Sequence, residues 1–394
     1  MLGLLPAEYW NYKISDIAHG LIAALSKTKP GMLNIEGIGH CIPVRSARAA
    51  IVFAIKALEL PPGARIGAPL YCCPVVFKAI KAAGCTVRFI DVEADTACMS
   101  ADDLRTKISQ LDAVIAVHMF GNLCDMPRLR EAAQGKPIIE DCAQSLGSSL
   151  NGRMAGAFGD IAVFSFRSGK YLSVGEGGAL YSSNDKIFSK LAESVSALSA
   201  PSRMEDCVHV IKTYIRSMLR SKPLWGLVGH RLWSAYNKST EFSEKTPIVM
   251  AQMFGSDIAI TKSRLATLNH HIEKQRVNAD YYAEALTLAS CTICNEKPGA
   301  FYNRYLYPIM LPSPDHRDAI AAHLLEQRIG TIQPYKDIAE VASAYYEYAG
   351  DCPISEQIAQ RVLVLPSYHS LKKPELRRVT NCTNKALQIL SNTP

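Results

Sequence analysis

Apolar residues recur along this chain in two rhythms, and the rhythms alternate between positions 46 and 191. Stretches with apolar positions three and four apart predict helices over 46–60, 74–83, 100–110 and 125–133. Between them lie short runs that are mostly apolar. These predict strands over 65–69, 86–91, 112–118, the run that ends at Asp141, and 161–166. A strand with no polar alternation is buried on both faces, and strand–helix alternation makes its neighbours parallel. The reading is an α/β fold whose mostly parallel sheet is covered by helices on both sides. In such sheets a ligand binds beyond the carboxyl ends of the strands. A long helix is predicted over 257–288, with Leu265, Leu268 and Ile272 on one face. The pattern then becomes α+β, with strand-like runs at 301–311 and 361–366 and helices at 313–327 and 373–390. We expect a large domain over 1–289, with an N-terminal arm, and a smaller α+β domain over 290–394.

Positions 208–240 break the rhythm. They hold Lys212, Arg216, Arg220, Lys222, Arg231 and Lys238, together with Trp225 and Trp233, and no acid. Tyr214, Ile215, Met218 and Leu219 fall at helical spacing with basic residues on the other side. That composition fits an interfacial amphipathic helix touching a membrane or a membrane-bound partner. It also fits an inserted helical hairpin packed on the body or on a second subunit.

Composition narrows the class. Of 394 residues, 48% are hydrophobic and 20% charged, which excludes general disorder and fits a globular enzyme. The formal net charge of +7 suits anionic substrates or a membrane surface but is too diffuse to indicate nucleic acid. The twelve cysteines are scattered, several of them (Cys72, Cys73, Cys85, Cys142) in apolar runs, as expected of reduced thiols in a cytoplasmic protein. Cys291 and Cys294 form a lone C-x-x-C without a second pair at zinc spacing, so no metal site is expected. The first ten residues lack the basic start and small-residue cleavage site of a signal peptide, and no apolar run is long enough to span a bilayer.

Lys170 carries the clearest chemistry. It follows the strand-like run 161–166 and precedes the glycine-rich Gly175-Glu-Gly-Gly178. A lysine at the end of a buried strand is pushed toward its neutral form, and a neutral amine attacks carbonyls. The sharp reading is a Schiff-base lysine for pyridoxal phosphate; the plain one is a surface lysine in a turn. Asp141 ends another apolar strand and is followed by Gln144. Pyridoxal phosphate needs a carboxylate against its ring nitrogen, and Gln144 could bond the ring hydroxyl. Alternatively, Asp141 caps a helix. His118, at a third strand end, and His369 are either substrate contacts or satisfied structural histidines, and Arg276 reads as a helix-surface residue.

These segments together resemble the DegT-type nucleotide-sugar aminotransferases of fold type I. Ser46-Ala-Arg-Ala-Ala-Ile51 resembles that family's S-G-T-x-A-L helix start, and Pro69-Leu-Tyr-Cys-Cys-Pro74 its P-x-Y-x-C-P turn. Val117-His-Met-Phe-Gly121, Glu140-Asp-Cys-Ala-Gln144 and Gly159-Asp-Ile-Ala-Val-Phe-Ser-Phe166 resemble V-H-x-x-G, E-D-x-A-Q and G-D-x-x-x-F-S-F. Lys170, Gly175–Gly178 and Val364-Leu-Pro-Ser-Tyr-His369 follow in family order. The resemblance implies a three-layer pyridoxal-phosphate transferase fold. It implies Lys170 and Asp141 as the catalytic pair, with the cofactor held by Arg48, Ala49, Cys73, Asp141, Gln144, Ser165 and Lys170. Ser165 and the backbone at Arg48–Ala49 would hold the phosphate, and Arg48 would pair with it or face solvent.

The implied reaction is transfer of an amino group, from glutamate by resemblance, to a keto-sugar on a nucleotide carrier, in polysaccharide or glycan biosynthesis. The implied assembly is a homodimer. Three departures stand out. Cys73 occupies the position of a ring-stacking aromatic, leaving Cys73 or Tyr71 to cover the cofactor. Positions 248–257 carry no arginine where the family has Asn-x-Arg. Gly330-Thr-Ile-Gln-Pro-Tyr335 replaces a His-Tyr pattern. Two rivals stand beside this reading: a sugar dehydratase, against which Lys170 argues because family dehydratases carry a histidine there, and a catalytically silent, colourless relative acting as a binding or scaffold subunit at a membrane.

Overall fold

A computed structural model describes residues 3–10, 12–26, 31–221, 224–226, 247–287 and 296–391. Ten strands run through its first half: β1 (Leu33–Ile35), β2 (Gly39–Val44), β3 (Arg65–Pro69), β4 (Thr86–Ile90), β5 (Ala113–Val117), β6 (Ile138–Asp141), the hairpin β7 (Ser149–Leu150) and β8 (Arg153–Met154), β9 (Ile161–Ser165) and β10 (Gly178–Tyr181). Eight form one sheet in the order β1-β2-β10-β9-β6-β5-β3-β4. From β9 to β4 every pairing is parallel; β10, β2 and β1 run antiparallel at one edge. The five parallel strands are the apolar runs of the sequence. The antiparallel edge was not legible there, because β1 is three residues long and β2 mixes Gly39, His40 and Pro43 into its run.

The sheet is buried on both faces, and β9 shows how. Ile161 and Val163 enter one apolar core; Ala162 and Phe164 point the other way into a second. The first core is filled from α2 (Ala47–Ala57), α3 (Val75–Ala82), α4 (Ala101–Lys107) and α5 (Met126–Ala132), through residues such as Phe53, Phe77, Leu104 and Leu129. Ser46 starts α2 by accepting the Ala49 N–H, the side-chain cap that its position suggests. Ile258, from a helix described below, helps fill the second core.

α1 (Ile14–Leu25), α6 (Asp185–Ser196) and α7 (Arg203–Leu219) complete the large body. The basic segment therefore enters a helix that begins earlier, at Arg203, and residues 222–223 and 227–240 lie outside the described residues, as do Cys291 and Cys294.

The single helix expected over 257–288 is two, α8 (Gly255–Leu265) and α9 (Leu268–Ala285). Thr267 separates them. Its hydroxyl and its N–H both bond the Arg264 carbonyl, which closes a turn in place of the next helical hydrogen bond. The strand expected over 301–311 is also two, β11 (Ala300–Phe301) and β12 (Tyr307–Met310), parted by Arg304 in a left-handed conformation at φ +57. β11 extends the β7–β8 hairpin, and β12 pairs with β13 (Val362–Leu365). α10 (Pro314–Glu326), α11 (Ile338–Tyr346), α12 (Pro353–Arg361) and α13 (Lys373–Ser391) surround that pair. A third apolar core under β12 and β13 includes Leu324 and Val379, but also Leu5, Ala279 and Tyr282. The N-terminal arm and the last turns of α9 thus seal the C-terminal unit.

Candidate active site

The parallel strand ends bring the predicted residues together. Asp141 closes β6, opposite Val117 of β5 and Val163 of β9. Ser165 closes β9, and Lys170 sits in the turn just beyond. Asp141 is buried, and one carboxylate oxygen accepts the Ala143 N–H at 2.9 Å. Burial raises its pKa above 3.8; the Ala143 N–H, then the Lys170 charge, then His118 pull it back. No helix follows, only a turn, so Asp141 is not a helix cap.

Lys170 is half-buried, and its Nζ lies 5.5 Å from the Tyr305 ring centre. Burial, then the nearby Arg167 guanidinium, lowers its pKa below 10.5, while Cys73, Asp141 and Glu8 oppose the shift. Each member of the Lys170–Asp141 pair is thus held off its charged form by desolvation, and each acts on the other. A cationic heterocycle set between them would satisfy the carboxylate and use the amine.

The flanking residues fit the same group. Gln144 accepts the Phe120 N–H at 3.0 Å and rests its amide nitrogen 3.4 Å from the Met119 sulfur. Tyr71 has no accessible surface. Its hydroxyl donates to the Pro334 carbonyl at 3.2 Å and its ring meets Tyr335 edge-on. Cys73 keeps accessible surface and acts electrostatically on Lys170. Of the two candidates for covering a ring, Cys73 has the open position.

The glycine loop crosses the start of α2 at the place where the resemblance puts the cofactor phosphate. Gly178 pairs with Ser165, and Gly177 bridges to Ser46. A Cβ on Gly178 would lie 2.6 Å from the Ala47 nitrogen, so only glycine lets the strand come this close. Ala49 is buried with its N–H taken by Ser46. The N–H groups of Ala47 and Arg48 are the ones without an intrahelical acceptor, and a helix N-terminus favours an anion. Arg48 is half-buried beside them.

Other sequence candidates resolve as structure. His118 is fully buried between Glu140, 3.0 Å from its Nε2, and the Cys124 N–H, which donates to its Nδ1. The Glu140 carboxylate also accepts the N–H groups of Gly156, Phe158 and Gly159, so it organises the loop leading into β9. With Cys142 these residues form an acid–histidine–thiol cluster, but its donors are spent on one another and on backbone. Arg276 is more than a surface residue: it pairs with Glu296, donates to the Tyr302 carbonyl and covers the Phe301 ring.

Tyr305 was missed by the sequence reading. It donates its hydroxyl to the Gly169 carbonyl at 2.6 Å and supports the lysine turn. Nothing local marks it, since the 305–170 contact spans two separate units of sequence. A cavity of about 240 Å³ opens above Lys170 and Tyr305. Glu8 and Lys13 of the N-terminal region, Arg264, and the stacked pair His271–His369 line it. The two imidazole rings are 4.1 Å apart, and burial with nearby cations drives the His369 pKa down to about 3.

Known proteins share both sequence and fold. The GDP-perosamine synthase of Vibrio cholerae is 26% identical over 355 residues, covering 88% of this chain and 86% of its own. The UDP-N-acetyl-3-dehydro-alpha-D-glucosamine 3-aminotransferase of Acidithiobacillus ferrooxidans is 25% identical over 363 residues, covering 90% of this chain and 86% of its own. A solved sugar aminotransferase from Streptococcus pneumoniae, in its PLP form, superposes with a TM-score of 0.79 at 17% identity, covering 98% of this chain and 99% of that one. The family model for DegT/DnrJ/EryC1/StrS aminotransferases matches residues 32–384, and the chain belongs to this aminotransferase family, whose members depend on pyridoxal phosphate.

Proposed function

We propose that this protein transfers an amino group, with glutamate as donor, to a keto-sugar carried on a nucleotide diphosphate, using pyridoxal phosphate held at Lys170. One observation carries the reading: a depressed amine and a raised carboxyl stand at neighbouring parallel strand ends and act on each other's protons. When bound, the cofactor supplies an electron sink for the carbanion of amino-group transfer. Asp141 holds positive charge at the ring nitrogen. Lys170 Nζ would take a proton from the substrate carbon and return it, a task helped by the lowering of its pKa through burial. Gln144 and Cys73 would flank the ring, while Ser165 and the N–H groups of Ala47 and Arg48 would hold the phosphate. Tyr305 orients the lysine turn.

The nucleotide-sugar substrate is supported by the names of the relatives and by the cavity itself. Lys13 and Arg264 stand at a wall that a diphosphate could approach. The homodimer implied by the resemblance belongs to the same proposal, and sedimentation velocity tests it. The decisive experiment is an absorbance titration with pyridoxal phosphate, followed by addition of glutamate and a panel of keto-sugar nucleotides read by mass spectrometry. Bound colour that bleaches with glutamate supports the enzyme. A protein that stays colourless would favour the scaffold reading.

A further inference from the structure

α1 and α7 pack side by side with their polarity reversed. Toward the body, α7 buries Asp206, Val210, Thr213 and Ser217, mostly polar residues with assigned partners. Asp206 takes the Ser256 N–H and hydroxyl, and Ser217 donates to the Trp10 carbonyl. The opposite side of α7 carries Met204, Val208, Ile211, Ile215 and Met218, exposed by 41–78%. Their spacing of four, three, four and three residues makes one continuous stripe. α1 repeats the arrangement. It buries Asp16, Gly20 and Ala24, with Gly20 against Val210 and Ile260, and exposes Ile14, Ile22 and Leu25 by 63–73%.

An outward apolar stripe of this length is unusual on a water-soluble surface. Its charge border selects the occupant. Lys212 and Arg216 flank the α7 stripe on one side and Arg203 on the other. Of the acids of the two helices, Asp16 pairs with Arg264 and Asp206 is buried on Ser256, which leaves Glu205, bonded to the Ser202 N–H, as the exposed one. From 207 to 240 the sequence holds no acid at all. An apolar layer under anionic headgroups satisfies both the stripe and its border.

We propose that α1 and α7 form a peripheral docking face for an anionic lipid bilayer, entered from the interface and not spanning it. No described helix is long and apolar enough to cross a membrane. The inner flank of α1, at Ser15, Asp16 and His19, lines the cavity above Lys170. The proposed active-site cavity therefore borders the helix that carries part of this face.

Vesicle cosedimentation of the full chain tests this, with phosphatidylcholine alone and with one-third phosphatidylglycerol. The protein should pellet with the anionic vesicles and lose binding in high salt. Lys212→Glu combined with Arg216→Glu should weaken partitioning by at least about thirtyfold, since each basic residue near such a surface contributes about fivefold. Ile211→Gln with Ile215→Gln should abolish it. Unchanged melting temperature and sedimentation coefficient of both variants would show that folding and assembly are intact. Failure of the wild type to pellet with anionic vesicles would overturn the proposal. So would indifference to the charge reversal, or a wild-type assembly that falls apart on Ile211→Gln/Ile215→Gln, which would assign the face to contacts between copies.

Discussion

Glu140 and Asp141 are adjacent carboxylates with separate tasks, and Glu140→Gln tests the structural one. Glu140 accepts three backbone N–H groups, from Gly156, Phe158 and Gly159, and faces His118 Nε2 at 3.0 Å. The Cys124 N–H donates to His118 Nδ1, so in the neutral ring Nε2 carries the hydrogen and needs an acceptor. Glutamine keeps the volume but turns one oxygen into a donor. In one orientation its amide NH2 meets the Gly156 N–H and His118; in the other it meets Phe158 and Gly159. Either way two buried donors lose their acceptor, at roughly 1–3 kcal/mol each, or about 4 kcal/mol together. At about 2.1 cal/mol/K per residue, 394 residues unfold with roughly 0.8 kcal/mol/K of entropy, which converts the loss to about 5 °C. Melting of the cofactor-free protein, followed by circular dichroism at neutral pH, reads it directly. Glu273→Gln, on the exposed side of α9, is the control and should move the midpoint by less than about 1 °C. If Glu140→Gln melted with the control, the assignment of this carboxylate as organiser of the loop into β9 would be wrong.

Asp141→Asn should do the converse. Turnover should fall by about a hundredfold or more, the scale of a lost preorganised charge, while the midpoint at pH 7 should hold or rise. The sign follows from the raised pKa: the charged carboxylate is unfavourable in the fold, and that cost is complete above the folded pKa. An Asn variant with normal turnover would remove Asp141 from the chemistry. Lys170→Met should abolish transamination and also stabilise the cofactor-free protein near pH 7. Because the folded pKa of Lys170 is depressed, the unfolded chain binds the extra proton, so the wild type gains stability as pH rises toward 10.5 and the advantage of Met should shrink there. A pH-independent difference between the two melting curves would refute that account. Gly178→Ala should weaken pyridoxal phosphate binding at least tenfold in the absorbance titration, because the new Cβ meets the Ala47 nitrogen at 2.6 Å and displaces the start of α2. An unchanged titration would mean that this junction is not the phosphate cradle.

The parallel strands were readable because each is a short, mostly apolar run set between helical stretches, and two of them, β6 and β9, end in a polar residue. The strand ends then ranked Asp141 and Lys170 before any pairing was known. Other features left no such trace. β1 and β2 are short and mixed, and their antiparallel place depends on β10, more than 130 residues away. Thr267 breaks a stretch whose periodicity continues through it. Tyr305 supports Lys170 across an interval with no local signature. His118, at another strand end, was open between a substrate contact and a structural histidine, and only its partners Glu140 and the Cys124 N–H mark it as structural.

By itself, then, the order of apolar runs, turns and single polar residues determined a parallel α/β sheet with an amine and an acid at its strand ends. Those properties are local: side-chain periodicity, turn chemistry and the cost of a buried charge act within a few residues. Tertiary structure alone decided which carboxylate is free to act, which face of α7 looks outward, and that Cys73 keeps the open position while Tyr71 is buried. These depend on which distant groups consume a hydrogen bond or exclude water, and that is set when the strands and helices pack.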